Sequence, residues 1–219
     1  MTADLFAPLD AGSRLPLGAQ AWLLHGFALP HVDTLLPALA AVIRDTPLRH
    51  MTTPGGLPMS VATTSCGAVG WVGGRDGYRY AVRDPRTGRH WPAMPDVFAS
   101  IANAAAESAG FAHFAPDTCL INRYRPGTRL TLHQDRDEQD LAAPIVSVSL
   151  GLPATFLFGG LARSDRTVRV PLGHGDVAVW GGVDRLRFHG VLPVAPGEHP
   201  ALGRQRINLT FRRAATAAC

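Results

Sequence analysis

Thr128-Arg129-Leu130-Thr131-Leu132-His133-Gln134-Asp135 is the stretch on which the reading of this chain turns. Leu130 and Leu132 alternate with polar neighbours, the period of a half-buried strand. His133 and Asp135 stand at i and i+2, so on a strand both side chains leave the same face. His189, on a later apolar stretch, can close a triangle with them. Two imidazoles and a carboxylate gathered on one side leave the other coordination positions of a metal open. That suits ferrous iron, which must also take a co-substrate and oxygen. The competing view is a surface His–Asp pair and an unrelated core histidine. A second HxD, His174-Gly175-Asp176, runs straight into the apolar Val177-Ala178-Val179-Trp180. Its Gly-Asp pair is turn chemistry, so it reads as the turn before a strand.

Outward from this stretch the chain is punctuated by Gly and Pro at the spacing of a sandwich or barrel. Strands are expected at 118–123, 129–133, 145–150, 154–158, 167–170, 177–180, 188–194 and 206–212. Eight short strands make a double-sheet jelly roll. Upstream, a helix is expected over 34–44, capped by Asp33 and with Pro37 in its first turn. A second is expected over 96–108, ended by Gly110 at the C′ position. Residues 1–30 read as irregular, Thr53-Pro54-Gly55-Gly56 as a turn, and 59–91 as a polar, glycine-rich stretch with aromatics. The expected class is mainly β with flanking helices (α+β).

The last expected strand carries a second signal. Arg206, Asn208, Thr210 and Arg212 share one face of it, and Ile207, Leu209 and Phe211 the other. A 2-oxo acid can chelate iron and supply the electrons that activate oxygen, and its far carboxylate needs a bidentate cation such as arginine. A solvent-facing sheet surface would look equally polar.

Composition narrows the rest. With 46% hydrophobic and 17% charged residues, the 219-residue chain can bury a core and is not a disordered segment. No apolar run reaches membrane-spanning length, and the N-terminus lacks a signal-peptide pattern. Cys66, Cys119 and Cys219 form no CxxC, which points away from zinc and towards reduced thiols in the cytoplasm. The net charge is +4 and every basic side chain is arginine, which compositional bias alone could produce. Clustering says more. Between Trp71 and Trp91 lie Arg75, Arg79, Arg83, Arg86 and Arg89, interleaved with Tyr78 and Tyr80. Arginines track phosphates while aromatics stack on bases; a solvated hairpin with core aromatics fits the pattern as well.

Several blocks together resemble the AlkB-type Fe(II)/2-oxoglutarate dioxygenases, direct-reversal DNA repair demethylases. They are Asn122-Arg123-Tyr124-Arg125-Pro126-Gly127, His133-Gln134-Asp135-Arg136-Asp137-Glu138, residues 145–153, Phe158-Gly159-Gly160-Leu161, His174-Gly175-Asp176-Val177 with Trp180-Gly181-Gly182, and residues 206–212. The resemblance selects the first HxD and implies Fe(II) on His133, Asp135 and His189. It implies 2-oxoglutarate on Asn122, Tyr124, Arg206, Asn208 and Arg212, with Arg206 at the distal carboxylate and O2 as second co-substrate. Trp71 would stack on the alkylated base, Tyr78 and Arg163 would contact substrate, and Asp137 would select the damaged edge. It further implies residues 1–114 as an N-terminal extension with supporting helices and a nucleotide-recognition lid at about 50–92, and residues 115–213 as the jelly-roll core. The implied substrates are 1-methyladenine and 3-methylcytosine in single- or double-stranded DNA and in RNA. Hydroxylation of the N-methyl group would release formaldehyde, succinate and CO2. A cytoplasmic monomer with no membrane contact is expected. One departure stands out: Thr63 occupies a lid position where the family's best-known bacterial members carry methionine, while Met59 is retained. Two other readings share the iron ligands or the fold: a 2-oxoglutarate hydroxylase of a small molecule or protein, and a non-catalytic nucleic-acid-binding jelly roll.

Overall fold

A computed structural model describes residues 12–214. The readings of residues 1–11 and of Cys219 lie outside the described residues. In chain order the elements are β1 (Arg14–Pro16), β2 (Ala21–Leu24), α1 (Val32–Asp45), β3 (Arg49–Thr52), β4 (Pro58–Gly67), β5 (Gly70–Gly74), β6 (Gly77–Ala81), α2 (Asp96–Ser108), β7 (Thr118–Tyr124), β8 (Leu130–His133), β9 (Ile145–Gly151), β10 (Ala154–Phe158), β11 (Val168–Leu172), β12 (Val177–Trp180), β13 (His189–Val191) and β14 (Arg206–Arg212).

Two sheets face each other. The larger runs β1-β2-β12-β9-β14-β7-β4-β3 and the smaller β11-β10-β13-β8, with β5 and β6 forming a separate hairpin. Strands β7 to β14 pass from one sheet to the other in the double-stranded β-helix order, with only β10 and β11 consecutive in one sheet, so the expected jelly roll is the observed core. Side-chain alternation assigns each face of the large sheet. Val177 and Val179 of β12, Val146 and Val148 of β9, and Ile207, Leu209 and Phe211 of β14 pack outward against Leu35 and Leu39 of α1 and Phe98 and Ile101 of α2. Ala178 and Trp180, Ile145 and Tyr124 point inward and meet Phe156, Phe158 and Val170 of the small sheet. The helices are therefore the cover of the outer face, and the space between the sheets is left for chemistry.

The eight expected strands all form, with ends shifted by a residue or a few. Three expectations need correction. The first helix starts at Val32, its N-cap is His31 with no side-chain cap bond, and Asp33 sits inside the first turn. Pro37 consequently lies within the helix rather than in its first turn. A 3-10 turn over Leu29–His31 runs directly into the helix and takes over its start. Residues 12–30 are not irregular throughout: β2 pairs with β12 from Ala21↔Trp180 to Leu24↔Val177. Four residues are too few for a period to register.

The stretch 59–91 holds three strands. The buried Val61-Ala62-Thr63-Thr64-Ser65-Cys66 of β4 is covered on both faces, which removes the alternation a half-exposed strand would show. β4 joins the large sheet through β7, Ala62↔Arg123 to Gly67↔Thr118. Thr63 is 1% exposed and is the register partner of Asn122, so the departure from methionine falls inside the sheet. Met59 lies nearer the cavity between the sheets and lines it. The hairpin β5–β6 is anchored by Trp91, buried, whose Nε1 donates to the Ala81 carbonyl at 2.8 Å. A Cβ on Gly70 would fall 2.2 Å from Cε2 of that indole, which explains the glycine. Trp91 is thus the core aromatic of its stretch. Among the described residues no helix is long and apolar enough to cross a membrane.

Candidate metal and co-substrate site

His133 ends β8 and His189 opens β13, and the two are direct register partners. Their rings lie 4.4 Å apart, centroid to centroid. Asp135 is two residues beyond His133 but past the end of β8, in the loop that follows. The same-face argument of an i, i+2 strand pair therefore does not place it. Arg212 does: its Nε and Nη2 donate to Asp135 Oδ2 at 2.9 and 2.5 Å. Asp135 Oδ1 then lies 3.6 Å from His133 Nε2, and Oδ2 3.8 Å from His189 Nε2. One ligand atom from each residue falls within 4.8 Å of the others, a spacing that can hold a metal ion.

The tautomers suit that role. His133 Nδ1 lies 2.9 Å from the Thr131 carbonyl and His189 Nδ1 3.0 Å from that of Arg187. A carbonyl can only accept, so each Nδ1 donates to it and each Nε2 is the nitrogen left to face a metal. Burial, with His133 beside it, pulls the His189 pKa down to about 3, so that ring is neutral at physiological pH. Trp180 and Phe156 pack on it, with ring centroids at 4.9 and 6.0 Å. Burial works against ionisation of Asp135, yet Arg212, His189 and His133 hold its carboxyl well below the usual carboxylate range. The site offers two imidazoles and a carboxylate, a donor set that fits Fe(II).

The five residues expected at 2-oxoglutarate sit on two neighbouring strands of the large sheet. Tyr124 pairs with Arg206, Asn122 with Asn208, and Thr118 with Arg212 across β7 and β14. All seven residues of β14 are buried, so its polar face is not solvent-facing. With the triad, Asn122, Tyr124, Arg206, Asn208 and Arg212 line one cavity of about 910 Å³. Arg206 is 1% exposed and donates through Nη2 to Ser149 Oγ at 2.9 Å. Its Nε and Nη1 are buried without a hydrogen-bond partner, as is the Tyr124 hydroxyl. A buried cation with unused donors is costly unless an anion meets it, and a carboxylate is the anion its fork fits. Asn208 is held by Ser147 Oγ and Thr210 Oγ1 at 2.8 and 2.9 Å. Arg212 differs from Arg206: Asp135 and Glu138 occupy most of its donors, and only Nη1 lacks a partner.

Trp71, Tyr78, Asp137 and Arg163 line the same cavity. The Trp71 and Tyr78 rings stack at 4.9 Å and 22°, and Trp71 Nε1 donates to Asp137 Oδ2 at 3.1 Å. Arg163 lies over the Phe188 ring at 5.2 Å. Residues 174–176 form a turn, as expected. Asp176 accepts from Gly26 and Gly173 N–H at 2.8 and 2.7 Å, and His174 Nδ1 accepts from Gly151 N–H at 3.0 Å. Both side chains are spent on the backbone.

Sequence reasoning gave no role to two residues around the site, Glu138 and Arg185. Glu138, 7% exposed, accepts from the Tyr80 hydroxyl at 2.6 Å and from Arg185 Nη2 at 3.0 Å. Arg185 also donates to the Asp135 carbonyl at 2.6 Å. Glu138 lies in a run of charged residues, and no local signal separates it from its neighbours.

A jelly roll with a His–Asp–His triangle and a buried arginine that keeps unpaired donors along one cavity defines an Fe(II)/2-oxoglutarate-dependent dioxygenase. The sequence agrees: residues 20–212 match the 2OG-Fe(II) oxygenase superfamily, and the chain belongs to it. Within the superfamily it is 56% identical over 212 residues to the alpha-ketoglutarate-dependent dioxygenase AlkB of Salmonella typhimurium, covering 97% of this chain and 98% of that one. It is 28% identical over 156 residues to the tRNA demethylase abh1 of Schizosaccharomyces pombe, 65% of this chain and 52% of the relative. The solved structure of OsALKBH1 superposes with a TM-score of 0.80 at 29% identity, covering 92% of this chain and all of that one.

Proposed function

We propose that this dioxygenase oxidatively demethylates N-alkylated bases, 1-methyladenine and 3-methylcytosine, in DNA and also in RNA. The observation that carries the reading is an aromatic platform standing on the iron cavity. Trp71 and Tyr78 project from a hairpin into the rim of the space lined by His133, Asp135 and His189. Arg75, Arg79, Arg83, Arg86 and Arg89 are exposed on and beside that hairpin. A base inside a duplex cannot reach the ligand cluster, so it must be extruded into the cavity. The exposed arginines suit the flanking phosphates. Residues 50–92 would act as the nucleotide-recognition lid, carried by β4 into the core of 115–213.

His133, Asp135 and His189 would hold Fe(II); Asn122, Tyr124, Arg206, Asn208 and Arg212 would line the 2-oxoglutarate subsite, with Arg206 on the distal carboxylate. When bound, iron with 2-oxoglutarate and O2 supplies the oxidising power that hydroxylates the N-methyl carbon, after which the hemiaminal releases formaldehyde. The chain's own part is positional. Trp71 stacks on the base, Asp137 accepts from its exocyclic amino group, and Tyr78 and Arg163 contact the strand. Trp180 and Phe156 keep bulk water from His189. Cys66 and Cys119, both buried and free, fit a reducing compartment, and we read the enzyme as a cytoplasmic monomer.

The test is incubation with Fe(II), 2-oxoglutarate and an oligonucleotide containing 3-methylcytosine, with mass analysis of the base. Loss of the methyl group with stoichiometric succinate is expected. Succinate formation driven only by a small molecule would favour the hydroxylase reading instead.

Trp71→Ala is expected to lower oligonucleotide repair far more than substrate-free succinate production. Base–aromatic stacking is worth roughly 1–3 kcal/mol per base, about ten- to a hundredfold in the specificity constant. Trp71→Phe keeps an aromatic face and should recover much of the loss. Equal loss of both activities with a lowered melting temperature would instead make Trp71 an anchor of the hairpin.

Replacing Arg75, Arg79 and Arg83 together with glutamine is expected to flatten the salt dependence of single-strand binding. Each phosphate contact contributes about 0.7 to the log–log slope for single strands, so the slope should fall by up to about 2. A slope equal to that of the wild type would move the phosphate track away from this face.

A further inference from the structure

We propose that Tyr80 and Glu138 form a strut that couples nucleotide occupancy of the hairpin to 2-oxoglutarate affinity at the metal site; this rests on the function proposed above. Trp71 and Tyr80 are direct cross-strand partners of β5 and β6, so their side chains leave one face of the hairpin together. Each grips one of two consecutive carboxylates. Trp71 Nε1 donates to Asp137 Oδ2 at 3.1 Å, and the Tyr80 hydroxyl donates to Glu138 Oε1 at 2.6 Å. Both carboxylates belong to the loop that carries Asp135.

The two contacts differ in where they lead. Asp137 is exposed, and its bond holds the indole. Glu138 is buried and continues inward by two routes. Its Oε1 lies 3.3 Å from Arg212 Nε, and Arg212 grips the Asp135 side chain. Its Oε2 lies 3.0 Å from Arg185 Nη2, and Arg185 Nη1 donates to the Asp135 carbonyl at 2.6 Å. One buried carboxylate therefore joins a hairpin hydroxyl to both the side chain and the backbone of a candidate metal ligand. Arg212 lies on the strand of Arg206 and Asn208, so the same contact reaches the co-substrate face.

The physical consequence is a linkage. With Tyr80 on Glu138, the carboxylate is shared among three donors and Arg212 is held in the geometry that orients Asp135. If the hairpin lifts, Glu138 loses its neutral donor and is drawn further onto the two arginines, which loosens Arg212 from Asp135. A base stacked on Trp71 presses the hairpin onto the loop and favours the first arrangement. A ligand shifts such an equilibrium only by its differential affinity, and the coupling is reciprocal. Tyr80 and Glu138 are thus positioning residues; neither need touch the reacting atoms.

The test uses the full chain with Mn(II) in place of iron under anaerobic conditions, so that nothing turns over. 2-Oxoglutarate is titrated calorimetrically with and without a single-stranded 3-methylcytosine oligonucleotide. In the wild type the oligonucleotide should tighten 2-oxoglutarate binding by a factor in the range of roughly 5–150, and the reverse titration should give the same factor. Tyr80→Phe, which removes only a hydroxyl, should bring the factor to about one. A second measurement needs no variant: amide hydrogen exchange in residues 70–81 should slow when 2-oxoglutarate is added to the Mn(II) protein. A Tyr80→Phe factor equal to that of the wild type, or exchange in 70–81 indifferent to 2-oxoglutarate, overturns the strut. A wild type that binds the oligonucleotide with a factor of one overturns the strut and leaves the proposed function standing. A wild type that does not bind the oligonucleotide overturns both.

Discussion

His133→Ala and His189→Ala abolish iron-dependent succinate formation while leaving the fold in place. Each removes one of three candidate ligands, and the loss should exceed the roughly 10–100-fold that changes behind the ligands cost. The two rings sit opposite each other on β8 and β13, and strand pairing there is backbone work that alanine retains. Asp135 behaves differently. Its carboxylate is the main partner of the buried Arg212 guanidinium, so Asp135→Ala removes a ligand and strands a charge. Breaking a buried pair on one side costs about 3–5 kcal/mol, here moderated by Glu138, which stays within 3.3 Å of Arg212. The expected result is therefore three inactive variants, of which Asp135→Ala alone melts clearly lower, and Asp135→Asn lies between. The measurements are succinate yield and thermal melts on all four. Full activity of Asp135→Ala, with Asp176→Ala inactive, would transfer the site to the second HxD.

Arg206→Ala raises the apparent Michaelis constant for 2-oxoglutarate with little effect on the melting temperature. Nε and Nη1 of this arginine make no hydrogen bond within the chain, so what is lost is the bond to Ser149 Oγ and the contact with the Tyr124 ring, 4.9 Å away. Truncating one side of a buried charge-assisted pair costs on the order of 2–5 kcal/mol. At about 1.4 kcal/mol per decade that is roughly thirtyfold to several thousandfold. Burial pulls the guanidinium pKa below its usual value, as befits a desolvated cation. Arg212→Ala supplies the contrast: its guanidinium is committed to Asp135 and Glu138, so it should lower stability and metal affinity together. An Arg206→Ala constant equal to that of the wild type would mean that the anion is held elsewhere.

The periodic strands were the most legible part of the fold. Ile207, Leu209 and Phe211 alternate with Arg206, Asn208, Thr210 and Arg212 because β14 separates a helix-packed face from a cavity face, and a period of two records that division directly. β4 was illegible for the opposite reason. Small residues buried on both faces carry no alternation, and a ten-residue strand of the main sheet read as part of a polar, glycine-rich stretch. Asp33 failed as a cap because the preceding 3-10 turn shifted the start of α1, which no local residue preference reports.

By itself the sequence determined the strand period, the jelly-roll class and the residue types of the site, because side-chain alternation and ligand chemistry are local properties. Its motif resemblance also chose the HxD that the structure places beside His189 over the one at 174–176. Only the tertiary structure decided how Asp135 is held, since it lies beyond β8 and is set by an arginine from β14. The resemblance put Arg206 at the distal carboxylate, and the structure shows the physical difference: Arg206 keeps unpaired donors, whereas carboxylates occupy Arg212. The structure also buried Glu138 beneath the hairpin. Each of these depends on what another strand brings within about 3 Å, the range of a hydrogen bond, and sequence spacing carries no record of that distance.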